Sequence, residues 1–301
     1  MRKLLSALLA ALFLHTALAA AENRIDWDSA KTVYPGIRLV KLKRTSPRLM
    51  RIYIMRIDLE TPGLRFVTTG RDADWGKSMP DYPKLKIRTR RTTTAEFMRH
   101  ARTPVKKGGR GLNMVVAFNA SPWRPWTKPF NHKYADPPGV NISDGVLVGN
   151  RGSSPAFVVY KNGGVAIVDK VQKKDIPKIK DALAGFCIIA SGGKVMPNFL
   201  SVAKGCHPRT AYGLSADRRY LYVVTIDGRQ KKWSLGATGS ETGAILIEAG
   251  AADGINMDGG GSSTMCYWDR RKKKPIMVNR HSGNGVHMRP VANNLGIVIS
   301  R

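Results

Sequence analysis

The chain has 301 residues, of which 43% are apolar and 24% are charged. That apolar fraction can support a substantial core, which excludes an intrinsically disordered chain. The net charge of +29 at pH 7 attracts polyanions. However, the sequence has no zinc-finger spacing, no RNP-type strand and no basic-zipper heptad, so it contains no recognised nucleic-acid-binding module.

The N-terminus has the order of a secretory signal peptide. Two basic residues precede an apolar run from Leu4 to Leu14, and small residues follow. This order predicts a signal peptide at residues 1–21, cleaved after Ala19 or Ala21. An uncleaved membrane anchor is the rival interpretation, although the apolar run is short for a span. We therefore expect a periplasmic or secreted domain over 22–301, with no transmembrane segment after signal cleavage.

Cleavage would remove two basic residues and lower the net charge from +29 to +27. Much of the charge lies in 84–110, where ten basic residues accompany a single acidic one, and a second basic cluster covers 270–274. We interpret 75–110 as a basic insertion or lid. Outside the cytoplasm, such a surface favours a phosphate-containing or anionic glycan as partner, while solvated loops are the alternative.

Alternating apolar residues dominate the chain and predict strands rather than helices. The predicted strands cover 51–57, 64–67, 114–118, 156–160, 165–168, 220–226 and 295–299. A turn signal from Lys161 to Gly164 predicts a hairpin between two of these strands.

Helices are few. The segments Thr93–Glu96 and Thr238–Glu241 each match a capping box, and Gly250 would end the second helix. A short third helix is predicted between Lys174 and Leu183. Many strands without regular βαβ alternation predict a single-domain α+β fold with a mixed, mainly antiparallel β-sheet core.

Three cysteines allow one disulfide and one free thiol in an oxidising compartment. We predict the disulfide between Cys187 and Cys206, because these two residues flank a loop that contains glycine and proline. Cys266 lies within an apolar strand and is expected in the core. The spacing of the cysteines matches no zinc site.

The most informative segment runs from Gly254 to Met265. An apolar strand leads to Asp258, then to three glycines and three hydroxyl residues, the last being Thr264. Glycines let the backbone approach a ligand closely, and their N–H groups can form an anion-binding concavity. A plain strand-to-strand turn capped by Asp258 would give the same residues.

Further polar segments precede this motif in a fixed order. Asn119 follows a predicted strand, and Pro208–Ala211, Asp227–Arg229 and Thr238–Glu241 come later. From about Met114 to Ile299, this succession resembles the phosphodiester glycosidase domain family. Its members include N-acetylglucosamine-1-phosphodiester α-N-acetylglucosaminidases and bacterial exopolysaccharide-associated proteins. The resemblance does not extend to the basic region 84–110.

The resemblance implies hydrolysis of the anomeric C–O bond of sugar-1-phosphodiesters of the N-acetylhexosamine type. Asp258 would then activate water or attack C1, with Glu241 and Asp227 as further catalytic carboxylates. Arg209 would clamp the phosphate, because its fork matches phosphate oxygens. The other expected binding residues are Asn119, Thr210, Arg229, Gly259, Gly260, Gly261, Ser262 and Ser263.

Several of these residues have structural alternatives. Arg209 could instead brace the sheet, Glu241 could serve only as a helix cap, and Asp227 could be a turn residue. We expect no required cofactor. A Ca²⁺ or Mg²⁺ ion could bind if Asp227, Asp258 and Glu241 meet in space.

Two other functions fit the same residues. One is a non-catalytic protein that binds anionic polysaccharide through its positive charge. The other is a metal-dependent phosphodiesterase that breaks the P–O bond. Sequence alone does not identify the sugar, its leaving group or the oligomeric state.

Overall fold

The computed structural model describes residues 25–197, 201–282 and 287–300, without the side chains of 201 and 202. The predicted signal peptide at residues 1–21 lies outside the described residues. In the part of the chain that is described, no helix is both long enough and apolar enough to cross a membrane.

Antiparallel strands make up most of the regular structure. In chain order the strands are β1 Lys31–Tyr34, β2 Ile37–Arg44, β3 Met50–Asp58, β4 Leu64–Thr68, β5 Ser78–Met79, β6 Tyr82–Lys86, β7 Thr89–Arg90, β8 Met114–Asn119, β9 Tyr134–Ala135, β10 Gly139–Ser143, β11 Val146–Arg151, β12 Ala156–Tyr160, β13 Val165–Val168, β14 Ile179–Ala184, β15 Cys187–Ser191, β16 Lys194–Val195, β17 Arg209–Leu214, β18 Tyr220–Ile226, β19 Asp253–Asn256, β20 Met265–Asp269, β21 Lys274–Met277 and β22 Asn294–Ile299. The α-helices are α1 Thr94–Arg102, α2 Ser201–Lys204 and α3 Gly239–Ala249. Short 3₁₀ helices cover Val105–Lys107, Lys173–Lys178 and Gly260–Ser262.

The strands form three main sheets. The largest has eight strands in the order β1-β2-β3-β18-β17-β19-β15-β16. The other two have five strands each, in the orders β21-β20-β8-β22-β4 and β11-β10-β14-β12-β13. The sheets and the few helices confirm the predicted α+β class with a mainly antiparallel core.

The segment predicted as a third helix is a 3₁₀ helix in its first half and a strand in its second half. Lys173–Lys178 forms a 3₁₀ helix, and Ile179–Ala184 then joins a sheet as β14. Pro177 lacks a backbone N–H and so cannot continue a regular helix. The seven predicted strands and the β12–β13 hairpin are present.

Both capping boxes are confirmed. Thr93 and Glu96 exchange hydrogen bonds at the start of α1, and Thr238 and Glu241 do the same at the start of α3. Gly250 ends α3 with a φ of 112°, a left-handed conformation that glycine adopts without steric cost.

The eight-stranded sheet is buried on both faces. Side chains alternate along β3, so that Met55 and Ile57 enter a core shared with the five-stranded sheets. Ile52 and Ile54 point the other way and pack in a cluster that includes Leu246 of α3. Burial of such side chains contributes about 1.5–3 kcal/mol each. The large sheet therefore lies between α3 and the smaller sheets.

Helix α1 covers the outer face of a five-stranded sheet. Its residues Phe97, Met98 and Ala101 pack with Met114 and Val298. The predicted basic insertion or lid at 75–110 therefore needs a correction, because its second half contains α1 and belongs to the core. Its first half contains the β5–β6 hairpin.

All three cysteines are free thiols, so the predicted Cys187–Cys206 disulfide is wrong for this structure. Cys187 begins β15 and is partly buried against the cluster under α3. Cys206 is exposed in the connection between α2 and β17. Cys266 lies in the core, where burial raises the pKa of its thiol to about 12.

Candidate active site

The Asp258 motif connects two sheets. The turn leaves β19 in the eight-stranded sheet and enters β20 in a five-stranded sheet. Strand β8 pairs with β20 and ends at Asn119, beside the turn. The Asp258 N–H donates to the Ala120 carbonyl at 2.9 Å. This junction brings segments that are distant in sequence to one place.

Asn119 fixes the backbone of the turn. Its side-chain Nδ2 donates to the Asp258 carbonyl at 2.7 Å. Its Oδ1 accepts from Thr210 Oγ1 at 2.7 Å and from the Thr264 N–H at 2.9 Å. Both Asn119 and Thr210 are fully buried. They therefore position Asp258 rather than contact substrate, which corrects the binding role predicted for them.

The glycines allow close packing at the turn. A Cβ at Gly259 would lie 2.6 Å from the Pro208 carbonyl oxygen, and Gly260 has a φ of +60°. The Gly260 N–H donates to that same carbonyl at 2.9 Å, and the Ser262 N–H donates to Gly259 O at 3.1 Å. Since these amides are used within the protein, they do not form the open anion-binding concavity expected from the sequence.

Asp258 is only 5% exposed. Its Oδ1 accepts from the Gly259 N–H at 3.0 Å. Burial raises the pKa of the carboxyl to about 6, against the opposing effects of the Ser262 hydroxyl, the Arg289 guanidinium, the Gly259 N–H and Trp123. A carboxyl with this pKa can exchange protons near neutral pH.

The second oxygen of Asp258, Oδ2, has no hydrogen-bond partner in the described chain. The Ser262 hydroxyl and the Trp123 indole N–H lie close enough to lower the pKa, yet neither forms a hydrogen bond of normal geometry with a described residue. Ser263 Oγ, His207 Nδ1 and one Arg289 nitrogen are likewise buried without such a partner. Buried polar atoms are normally paired, so this concentration is the expected signature of a ligand site.

Two guanidinium groups lie against the turn. A Cβ at Gly261 would be 2.3 Å from Arg289 Nη2, and one at Gly260 would be 3.0 Å from Arg229 Nη1. Burial lowers the pKa of Arg289, Asp258 raises it, and Arg229 lowers it again, so the three charged groups are neighbours. The Arg289 backbone N–H donates to His281 Nε2 at 3.3 Å.

Sequence reasoning missed Arg289 and considered His281 only as a poor match to a metal ligand. Neither lies on a periodic strand or helix, and the intervening 283–286 lies outside the described residues. The sequence signal that could have indicated Arg289 was its position as a basic residue shortly before the last predicted strand.

Aromatic rings border the same place. Trp123 and Trp126 have ring centroids 5.2 Å apart, and Trp126 lies 4.7 Å from Phe130. The Arg289 guanidinium lies 4.6 Å from the Phe130 ring. Trp126 is 54% exposed. An exposed indole beside paired cations can accept the apolar face of a ring-shaped ligand.

Arg91 supports this aromatic wall from behind. It donates to the carbonyls of Phe130, His132 and Pro290 and lies 4.2 Å over the Trp123 ring. Burial lowers the pKa of Arg91 to about 10.

Arg209 is not placed to clamp a phosphate. It is 3% exposed, and its guanidinium donates to the carbonyls of Ala237 at 2.9 Å and Gly205 at 2.6 Å. Burial lowers its pKa. Arg209 therefore braces the chain around the start of β17, and the phosphate-binding role predicted for it is corrected. The guanidiniums at the turn are those of Arg229 and Arg289.

Asp227 is a structural carboxylate. Its Oδ2 accepts from Trp233 Nε1 at 2.7 Å and Tyr53 Oη at 3.1 Å. Its Oδ1 accepts from the Arg280 N–H at 2.9 Å and Asn279 Nδ2 at 3.3 Å. Burial raises the pKa of Asp227 despite these donors. With both oxygens in use, Asp227 organises neighbouring loops, which corrects the catalytic role predicted for it.

Glu241 is also structural. Its carboxylate accepts from the Thr238 N–H at 2.8 Å and forms an ion pair with Arg48. Burial raises the pKa of Glu241, but the hydrogen bonds from Thr238 and Arg48 outweigh it, so the pKa is lowered. Glu241 therefore caps α3, which was the structural alternative considered for it, and its catalytic role stays a prediction.

Asp227, Asp258 and Glu241 do not form the cation site considered from the sequence. Across 25–197, 201–282 and 287–300, no three His, Cys, Asp or Glu side chains are grouped to hold a metal ion. The described groups around the turn are one ionisable carboxylate, two guanidiniums and aromatic rings.

Comparison with known proteins identifies the family of this chain. Residues 113–298 match the family described as phosphodiester glycosidase, and this match covers more than half of the chain. The chain belongs to the phosphodiester glycosidase family. Its activity is therefore that of a phosphodiester glycosidase, and Asp258, Arg229 and Arg289 all lie within the matched region.

Solved structures share the fold of this phosphodiester glycosidase at low sequence identity. The zebrafish N-acetylglucosamine-1-phosphodiester α-N-acetylglucosaminidase catalytic domain, auto-inhibited by its pro-peptide, has a TM-score of 0.63 and 17% identity over 91% of this chain and 86% of its own. A hypothetical Synechocystis protein has a TM-score of 0.58 and 12% identity over 88% and 62%. A candidate exported protein from Burkholderia pseudomallei has a TM-score of 0.54 and 15% identity over 84% and 74%. No curated protein matches significantly.

Proposed function

We propose that this phosphodiester glycosidase is an exported hydrolase that releases an N-acetylhexosamine from a sugar-1-phosphodiester in envelope or extracellular polysaccharide. The observation that carries this proposal is the Asp258 carboxyl. It is buried, its pKa is raised to about 6, and one of its oxygens has no partner among the described residues. A bound substrate or water would supply the missing partner.

The reaction breaks the bond between the anomeric carbon and the phosphate oxygen. The bonding electron pair leaves with the phosphate, and oxygen from water becomes the new anomeric hydroxyl. Phosphate is stable as an anion, so this step needs cations at the leaving group more than it needs a general acid. Arg229 and Arg289 supply those cations beside the turn.

Asp258 supplies the carboxylate at the anomeric carbon. In its ionised form it takes a proton from the attacking water or attacks C1 directly, and it stabilises the positive charge that develops on the sugar. Ser262 and Ser263 provide hydroxyl groups next to it. Trp126 and Phe130 offer apolar surface for one face of the sugar ring.

Two further considerations support the choice of substrate and compartment. The zebrafish protein with the same fold is an N-acetylglucosamine-1-phosphodiester α-N-acetylglucosaminidase. The N-terminal sequence has the order of basic, apolar and small residues typical of a cleaved signal, which supports a periplasmic or secreted location.

The proposal is tested by sugar release from UDP-N-acetylglucosamine and methylphospho-N-acetylglucosamine in H₂¹⁸O, with EDTA and with added Ca²⁺ in separate arms. We expect ¹⁸O in the released sugar, and no release by Asp258→Asn. Appearance of ¹⁸O in the phosphate would instead show P–O cleavage. Absence of release, combined with salt-sensitive binding of anionic glycans, would identify a binding protein.

A further inference from the structure

A second basic site lies far from Asp258. A cavity of about 620 Å³ is lined by the cations Arg99, Arg102, Arg270 and Lys273, together with Tyr34, Thr103, Asn113 and Trp268. Helix α1 supplies its first two arginines, and the β20–β21 turn supplies the other two cations. The cavity thus forms where the helix meets the hairpin.

This site is at the opposite end of the strands that carry the catalytic turn. Asn113 lies just before β8, and Asn119 ends the same strand. Six residue steps along a strand span about 20 Å, at roughly 3.3 Å per residue. Trp268 similarly lies near the end of β20, whose first residue follows the turn. A small substrate held at Asp258 cannot reach this cavity.

The cavity carries unbalanced positive charge. Its lining contains no aspartate or glutamate. In the described chain, none of the three cations Arg99, Arg270 and Lys273 forms an ion pair with a carboxylate. The nearby Asp269 accepts the N–H groups of Arg271 and Lys272 in the hairpin turn. An anion is therefore the complementary ligand.

Two of the guanidiniums are held in place. Arg102 donates to Asn113 Oδ1 at 2.7 Å and to the Met114 carbonyl at 2.8 Å. It also lies 4.3 Å over the Trp268 ring, and Arg270 lies 4.3 Å over the Tyr34 ring. Fixed guanidiniums bind carboxylate or phosphate with less loss of side-chain entropy than free ones.

The same stacking leaves less open aromatic surface for the bases of a single-stranded nucleic acid. Proteins that bind single strands stack bases on accessible aromatic faces. Here the Trp268 and Tyr34 rings each have a guanidinium over a face.

The site is longer than one anionic group. An adjoining cavity of about 510 Å³ shares Arg102 and Asn113 with the first and adds Arg65. Cations therefore continue along a groove from Lys273 to Arg65. A linear ligand with repeated negative charges would contact both parts.

We propose that this groove binds a linear acidic polysaccharide about 20 Å from Asp258. The groove would hold a polymer on the protein while a terminal or branching sugar-1-phosphodiester occupies the active site. Binding at the groove does not depend on the proposed reaction, because none of its residues contacts the Asp258 turn.

Alginate, a linear polyuronate, is the probe, and its binding is measured with Asp258→Asn protein so that turnover plays no part. The double variant Arg270→Gln/Lys273→Gln changes two exposed cations of the groove. The matched control Lys173→Gln/Lys174→Gln removes the same charge from an exposed 3₁₀ helix elsewhere. We expect at least a tenfold weaker affinity in the groove variant and less than a twofold change in the control, with a smaller salt dependence only in the former.

In an otherwise unchanged enzyme, the groove variant should hydrolyse methylphospho-N-acetylglucosamine at the normal rate. Equal loss of alginate binding in the groove variant and in the lysine control would overturn the proposal, because the net charge of the protein alone would then explain the binding. Parallel measurements with single-stranded DNA and with anionic phospholipid vesicles complete the test. If the groove substitutions weaken binding of either of these ligands more than binding of alginate, the acidic-polysaccharide assignment is wrong.

Discussion

Asp227 and Asp258 are both buried carboxylates that follow strands of one sheet, β18 and β19, with β17 between them, and yet their surroundings are opposite. Asp227 accepts four hydrogen bonds, so both of its oxygens are paired within the protein, although burial still raises its pKa. Asp258 accepts one at Oδ1, and its Oδ2 has no partner among the described residues. Burial alone therefore does not separate these two carboxylates, whereas their hydrogen-bond partners do.

The sharpest test of this contrast is Asp258→Asn. We expect turnover to fall by about 10³-fold, since a positioned acid–base group contributes 10²–10⁴-fold.

The stability of the Asp258→Asn variant should be unchanged or higher. The pKa of Asp258 in the folded protein, about 6, lies above its ordinary value of 3.8, so ionisation costs stability as pH rises through this range. At pH 7 the asparagine would remove a cost of up to about 3 kcal/mol. Thermal unfolding and sugar release measure the two effects, and a large loss of stability would identify a structural turn.

Asp227→Asn should have the opposite effect on stability. The asparagine amide would place an N–H group where the carboxylate now accepts hydrogen bonds. The Trp233 indole N–H can only donate, so it would lose its acceptor. We expect a loss of about 2 kcal/mol, within the range for a buried donor left unpaired. Turnover per folded molecule should fall less than tenfold. Urea unfolding at pH 7 provides the measurement, and a stabilised variant would contradict the structural role.

The pH profile gives a finer test. If ionised Asp258 is the active form, kcat/KM should fall as pH decreases through about 6 and approach tenfold per pH unit below it. Replacing Arg289 with glutamine removes a cation that lowers this pKa, so the midpoint should move upward. Arg280→Gln removes the same charge from a residue beside Asp227 and should leave the midpoint in place. An unchanged midpoint in the Arg289 variant would show that another group controls the profile.

Local patterns predicted much of this fold. Capping boxes identified α1 and α3, because a cap and its partner lie three residues apart in the chain. Alternation identified β3, β8 and β18. It missed β14, which was predicted as part of a helix, because pairing with β12 and β10 determined the structure. Pairing with distant strands is not visible in a local window.

The site was predictable only in part. The sequence pointed to Asp258 and its glycine turn, since glycines after a strand-end carboxylate allow close approach of a ligand. It also favoured Arg209 over Arg289. Which arginine points into the site depends on how separate loops pack, and here Arg209 turns toward backbone carbonyls. The disulfide failed for the same reason, because proximity in sequence does not determine where a thiol points.

The Asn119 side chain holds Asp258 from 139 positions away and the Thr264 amide from 145. Contacts of such long sequence separation form late, since a chain must first close large loops. A partly folded chain, in which the two sheets have not yet joined, would have no catalytic geometry at all. The appearance of enzymatic activity during refolding should therefore report the final docking of the sheets rather than the formation of either sheet alone.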